Sequence, residues 1–87
     1  MTQISRLKLL SREDCGLCED TARDLTRLGV AFDTIDIDRD EALAQRYGEA
    51  IPVLLLGERE LARAPLGATA LEKALRQAGL LREQSPR

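Results

Sequence analysis

The sequence predicts an α/β fold, a four-stranded mixed sheet with helices on both faces in the order β-α-β-α-β-β-α. Three observations carry that reading. Apolar residues recur at strand period in some stretches and at helix period in others, with glycines or polar clusters at the changes. The first two strand-like runs are separated by a helical segment that can cross over the sheet, which favours parallel pairing. The last two are separated by Gly57-Glu58, a two-residue turn with glycine first, which makes them a hairpin.

The elements follow in chain order. Ile4 to Leu10 reads as a buried strand, with Leu7, Leu9 and Leu10 apolar and no breaker. Ser11-Arg12-Glu13-Asp14 ends it, and Asp14 is the expected N-cap of the next helix. From Gly16 to Leu28 the period is helical, with Cys18, Ala22, Leu25 and Leu28 on one face and Glu19, Arg23, Asp24 and Arg27 on the other. Gly29 is a natural stop. In Val30 to Ile37, Phe32, Ile35 and Ile37 alternate with polar residues, which predicts an edge strand with one wetter face. Asp38-Arg39-Asp40 starts a short helix that runs through Tyr47 and ends at Gly48; Tyr47 is expected to pack beneath it. The continuous apolar run from Ile51 to Leu56 reads as a central strand covered on both faces. Arg59 to Arg63 is charged and short, as an edge strand should be. Ala64-Pro65-Leu66-Gly67 connects to the last helix, for which Thr69 and Glu72 form a capping-box pattern. Leu71, Ala74, Leu75 and Ala78 form its apolar stripe, which ends near Gly79.

Composition bounds the function. A chain of 87 residues makes one domain, expected over residues 1–81, with the polar residues 82–87 as a loose tail. A content of 44 % apolar and 32 % charged residues suits a soluble globular protein. A net charge of −2 gives no reason to expect nucleic acid or an anionic membrane as partner, and the two aromatics, Phe32 and Tyr47, offer no base-stacking surface. No segment approaches the roughly 18 apolar residues of a membrane helix. Residues 1–6 lack the apolar run of a signal peptide, so the cytoplasm is the expected compartment. In a reducing compartment a close cysteine pair is catalytic or metal-binding rather than structural. Histidine is absent, which removes the usual general base and the commonest metal ligand.

Cys15-Gly16-Leu17-Cys18 holds the only two cysteines, three residues apart at the start of the first helix. At that spacing both lie on one helical face, and the first turn brings their Cα atoms within the roughly 4.4–6.8 Å that a disulfide needs. Amide protons at a helix N-terminus favour an anion, so Cys15 is placed to form a thiolate. Cys18, one turn in on the apolar stripe, is expected to be more buried. Glu13, Asp14, Glu19 and Asp20 surround the motif and act against a thiolate, with Arg12 as a partial offset. Other uses remain open. The pair can be inert buried thiols. Zinc usually takes four Cys or His ligands, which one chain lacks. A dimer could share an iron–sulfur cluster on four thiolates.

The element order, the CxxC opening the first helix, Ile51-Pro52 before the third strand, and Asp36-Ile37-Asp38 before a short helix together resemble the glutaredoxin-like branch of the thioredoxin-fold family. The resemblance spans about Leu7 to Leu80 and is nearest to small bacterial glutaredoxin-like proteins. It implies a thioredoxin-like fold and thiol–disulfide exchange, with Cys15 as nucleophile and Cys18 as resolving thiol. It implies that Pro52 is the cis-proline facing the disulfide and that the backbone of Ile51 pairs with substrate. Ile51, Pro52, Gly16, Leu17 and Arg12 are the candidate substrate-binding residues, and Arg46 a second candidate for the rim. No bound metal or organic cofactor is implied. The partners implied are a disulfide-containing protein or glutathione, and a reductase as electron donor. The chain departs from the family pattern at three points. Gly16-Leu17 stands where Pro-Tyr is common between the cysteines, Ala50-Ile51-Pro52 where Thr-Val-Pro is common, and Leu66-Gly67-Ala68-Thr69 lacks the paired glycines and aspartate that hold glutathione. The resemblance therefore supports the fold and the dithiol chemistry more than glutathione as substrate. Two other classes stay in view, the cluster-binding dimer and a non-catalytic interaction domain.

Overall fold

In the computed structural model, which describes residues 6–81, strand β1 (Leu7–Ser11) sends Leu7 and Leu9 to one face of the sheet and Leu10 to the other. That alternation is the period-2 geometry of a strand, and each face has its own core. The start of the expected first strand at Ile4, the signal-peptide reading of the first residues and the loose tail over 82–87 lie wholly or largely outside the described residues.

Helix α1 (Gly16–Arg27) follows, then β2 (Phe32–Asp36), which pairs parallel to β1 from Leu7↔Phe32 to Ser11↔Asp36. A 3-10 turn over Ile37–Arg39 leads into α2 (Glu41–Tyr47). Strand β3 (Val53–Leu56) pairs antiparallel to β1, and β4 (Arg59–Arg63) returns beside β3. Helix α3 (Ala68–Gln77) closes the fold. The sheet order is β2-β1-β3-β4, so β1 and β3 are interior and β2 and β4 are edges. This is the thioredoxin-like fold that the sequence predicts, with the predicted element order.

On one face Leu7, Leu9 and Leu54 pack with Leu25 of α1 and with Leu71 and Leu75 of α3. On the other, Leu10, Val53 and Leu55 pack with Ile37 and Tyr47. Burying each such leucine is worth roughly 1.5–3 kcal/mol. Both faces of β3 are covered, which is why its sequence is apolar without alternation. Gly57 supplies the left-handed residue (φ 65°) of the hairpin, and Glu60 and Arg63 pair along the outer strand at 2.7 Å.

Three local expectations are corrected. Asp14 does not cap α1: it takes a left-handed conformation (φ 62°), and Cys15 is the cap residue. A tight turn fitted between the strand and the helix leaves the next residue, not the aspartate, at the extended position from which a side chain reaches the first amides. Thr69 does not cap α3 either, since the helix starts at Ala68 behind Gly67, which has no side-chain cap. Glu72 turns to Arg76 on its own helix, at 3.2 Å. Finally, the second strand ends at Asp36, because the Asp36 carboxylate accepts from the Asp38 amide and starts the 3-10 turn that buries Ile37.

Candidate active site

The loop between β1 and α1 ends at Cys15, and Cys18 lies in the first turn of α1. Cys15 has extended backbone (φ −102°, ψ 98°), and its Sγ accepts a hydrogen bond from the Cys18 amide at 3.1 Å. A sulfur thus takes the capping position that an oxygen usually fills, where the first amides of the helix converge. The two Cα atoms are 5.2 Å apart and the residues are joined as a disulfide. Cys15 is half-buried and Cys18 is only 3 % exposed. One helical turn explains the difference, since the apolar face of α1 that buries Leu25 also buries Cys18.

Arg12 is engaged across the fold. Its guanidinium binds both carboxylate oxygens of Asp38, at 2.9 and 3.2 Å, and donates to the Gly48 carbonyl at 3.1 Å. The Asp38 hydrogen bond raises the pKa of that guanidinium further above its ordinary value. The loop bearing Cys15 is in this way tied to the 3-10 turn and to the end of α2. Arg46 lies over the Tyr47 ring, 5.3 Å from its centroid, and Tyr47 is buried under α2 as expected.

Beside the motif runs a groove of ≈ 410 Å³. Leu17 and Pro52 line it, together with Asp20 and Thr21 of α1 and with Pro65 and Leu66 of the final connector. Pro52 is fully buried, and the Ile51–Pro52 and Ala64–Pro65 peptide bonds are both cis. The Ala64 amide bonds to the carbonyls of Ala50 and Pro52, so the two proline segments are laced together on either side of Ile51. Of the candidates read from the sequence, Leu17 and Pro52 reach the groove, while Gly16, Ile51 and Arg12 are not among its lining residues. Leu17 is 61 % exposed, alone among the large apolar side chains of the described residues.

The sequence reading missed Thr21 and Pro65. Thr21 is 1 % exposed, and its hydroxyl donates to the Leu17 carbonyl at 3.1 Å. Its spacing of three from Cys18 was the available signal, since it continues the same helical face. Pro65 lies in the connector, three residues before the start of α3.

Among the described residues no group of three or more Cys, Asp or Glu side chains could hold a metal ion. No helix among them is long and apolar enough to cross a membrane.

A family model described as Glutaredoxin-like domain (DUF836) matches residues 6–76. The X-ray structure of protein XcR50 from X. campestris is similar at 36 % identity and a TM-score of 0.72, over 82 % of this chain and 96 % of that one. NrdH-redoxin from Escherichia coli, described as a glutaredoxin-like protein with a thioredoxin-like activity profile, is 29 % identical with a TM-score of 0.54, over 67 % of this chain and 82 % of that one. Buckwheat glutaredoxin, solved in complex with glutathione, shares the fold at 20 % identity and a TM-score of 0.60, over 90 % of this chain and 83 % of that one. No curated protein matches the chain by sequence.

Proposed function

The chain belongs to the glutaredoxin-like domain family, and from that premise we propose that it is a thiol–disulfide oxidoreductase with Cys15 as nucleophile and Cys18 as resolving thiol. The observation that carries the reading is the Cys15 sulfur at the N-terminus of α1, accepting the Cys18 amide at 3.1 Å. In the reduced protein the same amide and the helix dipole favour the thiolate over the thiol.

The cycle is a two-electron exchange. The Cys15 thiolate attacks one sulfur of a substrate disulfide, forming a mixed disulfide and expelling the other sulfur as a thiolate. Cys18, deprotonated in turn, attacks the Cys15 sulfur. That step forms the Cys15–Cys18 disulfide and releases the second substrate thiol. The substrate gains two electrons and the protein loses two. A dithiol or glutathione-type donor then returns the protein to the reduced state. The difference in burial fits these roles, since the half-buried sulfur can meet a substrate and the buried one meets only its neighbour. The glutathione complex of buckwheat glutaredoxin and the thioredoxin-like profile of NrdH-redoxin mark the two substrate classes, glutathione and protein disulfides. The cytoplasm is the compartment in which such a dithiol would be kept reduced.

Redox titration in graded dithiothreitol buffers, quenched by alkylation and read by mass spectrometry, tests the reading. The expected result is a reversible two-electron transition between roughly −180 and −270 mV that Cys15→Ser abolishes. Cysteines that stay reduced throughout, or that react only after denaturation, would contradict it.

A further inference from the structure

Resting on the exchange reading above, we propose that the groove beside the disulfide selects the polypeptide around a substrate cysteine, taking a segment with a cationic side chain next to an apolar one in preference to glutathione. Its apolar surface is built by Leu17, Pro52, Pro65 and Leu66. Leu17 stands between the two cysteines with 61 % of its surface in water, so an apolar substrate side chain beside the attacked sulfur would cover it.

The α1 side of the groove has one carboxylate in excess, since Asp20 and Asp24 line it against Arg23. Arg12, the next cation along the chain, is committed to Asp38 and the Gly48 carbonyl. Asp24 is held by Arg27 at 2.9 Å, whereas Asp20 meets only the 74 % exposed Arg23 at 3.3 Å. Exposed pairs of that kind are weak and yield to a competing cation. Asp20 is thus the carboxylate that an incoming lysine or arginine reaches. The uncapped start of α3 at Gly67 also borders the groove, but a helix terminus amounts to roughly half a charge and does not cancel the excess. Glutathione is net negative and brings no apolar side chain for Leu17, so the same features disfavour it.

The reaction is the one already written: two protein thiols become the Cys15–Cys18 disulfide, and the substrate disulfide becomes two thiols. Three probes separate the outcomes, namely the symmetric disulfides of a Lys-Leu-Cys peptide and of a Glu-Leu-Cys peptide, and oxidised glutathione. Each is mixed with the reduced protein, and the loss of protein thiols is timed at about 20 mM and about 1 M salt, where the screening lengths differ several-fold. The expected result is a lysine-peptide rate at least about tenfold above both others at low salt, converging at high salt. Asp20→Lys should cut the lysine-to-glutamate ratio at least about threefold. Equal rates for the two peptides, a glutathione disulfide that reacts as fast as the lysine peptide, or a ratio that Asp20→Lys leaves unchanged would overturn the inference while leaving exchange chemistry intact. Reduction of none of the three would overturn the exchange reading and this inference with it.

Discussion

At the scale of a single residue, the cap of α1 is a sulfur. The Cys15 sulfur accepts the Cys18 amide, and Cys18 lies 3 % exposed one turn further on. In the reduced protein, limited alkylation at neutral pH should therefore label Cys15 at least about tenfold faster than Cys18, as counted on the separated peptides. Equal labelling would mean that burial and capping do not distinguish the two thiols. The motif and its two cysteines were legible in the sequence, because a CxxC before a helical period needs no long-range information. The cap itself was not. An aspartate just ahead of a helix satisfies the usual pattern, and only the left-handed turn at Asp14 (φ 62°) shifts the cap by one residue. The pairing of Arg12 was not legible, for a related reason. Its sequence neighbours are the acidic residues of the motif, but its partner Asp38 is 26 residues away, and one sequence does not reveal such a pairing.

At the scale of elements, periodicity, the apolar run and the glycine turn located the three α-helices and four strands of the described residues, though not the 3-10 turn over Ile37–Arg39. Leu75 is fully buried between α3 and the sheet, so Leu75→Ala should lower unfolding stability by about 2–5 kcal/mol in urea denaturation. The exposed Lys73 on the same helix, changed to alanine, should stay within about 0.5 kcal/mol. A Leu75→Ala loss as small as the Lys73 one would show that α3 is not seated as described. The outer strand β4 adds a pH dependence. The Arg63 hydrogen bond lowers the Glu60 pKa below its ordinary value of 4.5, so the native state favours the carboxylate. Its contribution is present above that ordinary value and is lost as the pH falls through the lowered folded value. Between about pH 5 and about pH 3 the urea midpoint of the native chain should fall further than that of Arg63→Gln. The effect is small because the pair is partly in water, and identical falls would remove the pair from the account. Helix caps were the least legible feature at this scale. Thr69 and Glu72 match a capping box in spacing, yet α3 begins two residues earlier than that box implies, behind Gly67.

Across the whole molecule, topology assembles the site from parts far apart in sequence. The crossover of α1 between parallel strands carries the cysteines to one end of the sheet, and the connectors before β3 and after β4 bring Pro52 and Pro65 to the same groove. The two outer pairings were legible from two connections, the helical crossover and the glycine hairpin, whereas the β1–β3 pairing that joins them was not. The joining of Ala64 to the Ala50 and Pro52 carbonyls was not, because nothing in residues 64–67 alone indicates what they face. Family membership and fold agree with this arrangement, and the central claim is narrower than either: Cys15 attacks and Cys18 resolves. Trapping tests it most directly. Each single variant, Cys15→Ser and Cys18→Ser, is incubated with a peptide disulfide, and the products are mapped by mass spectrometry. The account predicts a stable mixed disulfide on Cys15 in the Cys18→Ser protein and little or none on Cys18 in the Cys15→Ser protein. An adduct that forms as readily on Cys18, or none on Cys15, would contradict it.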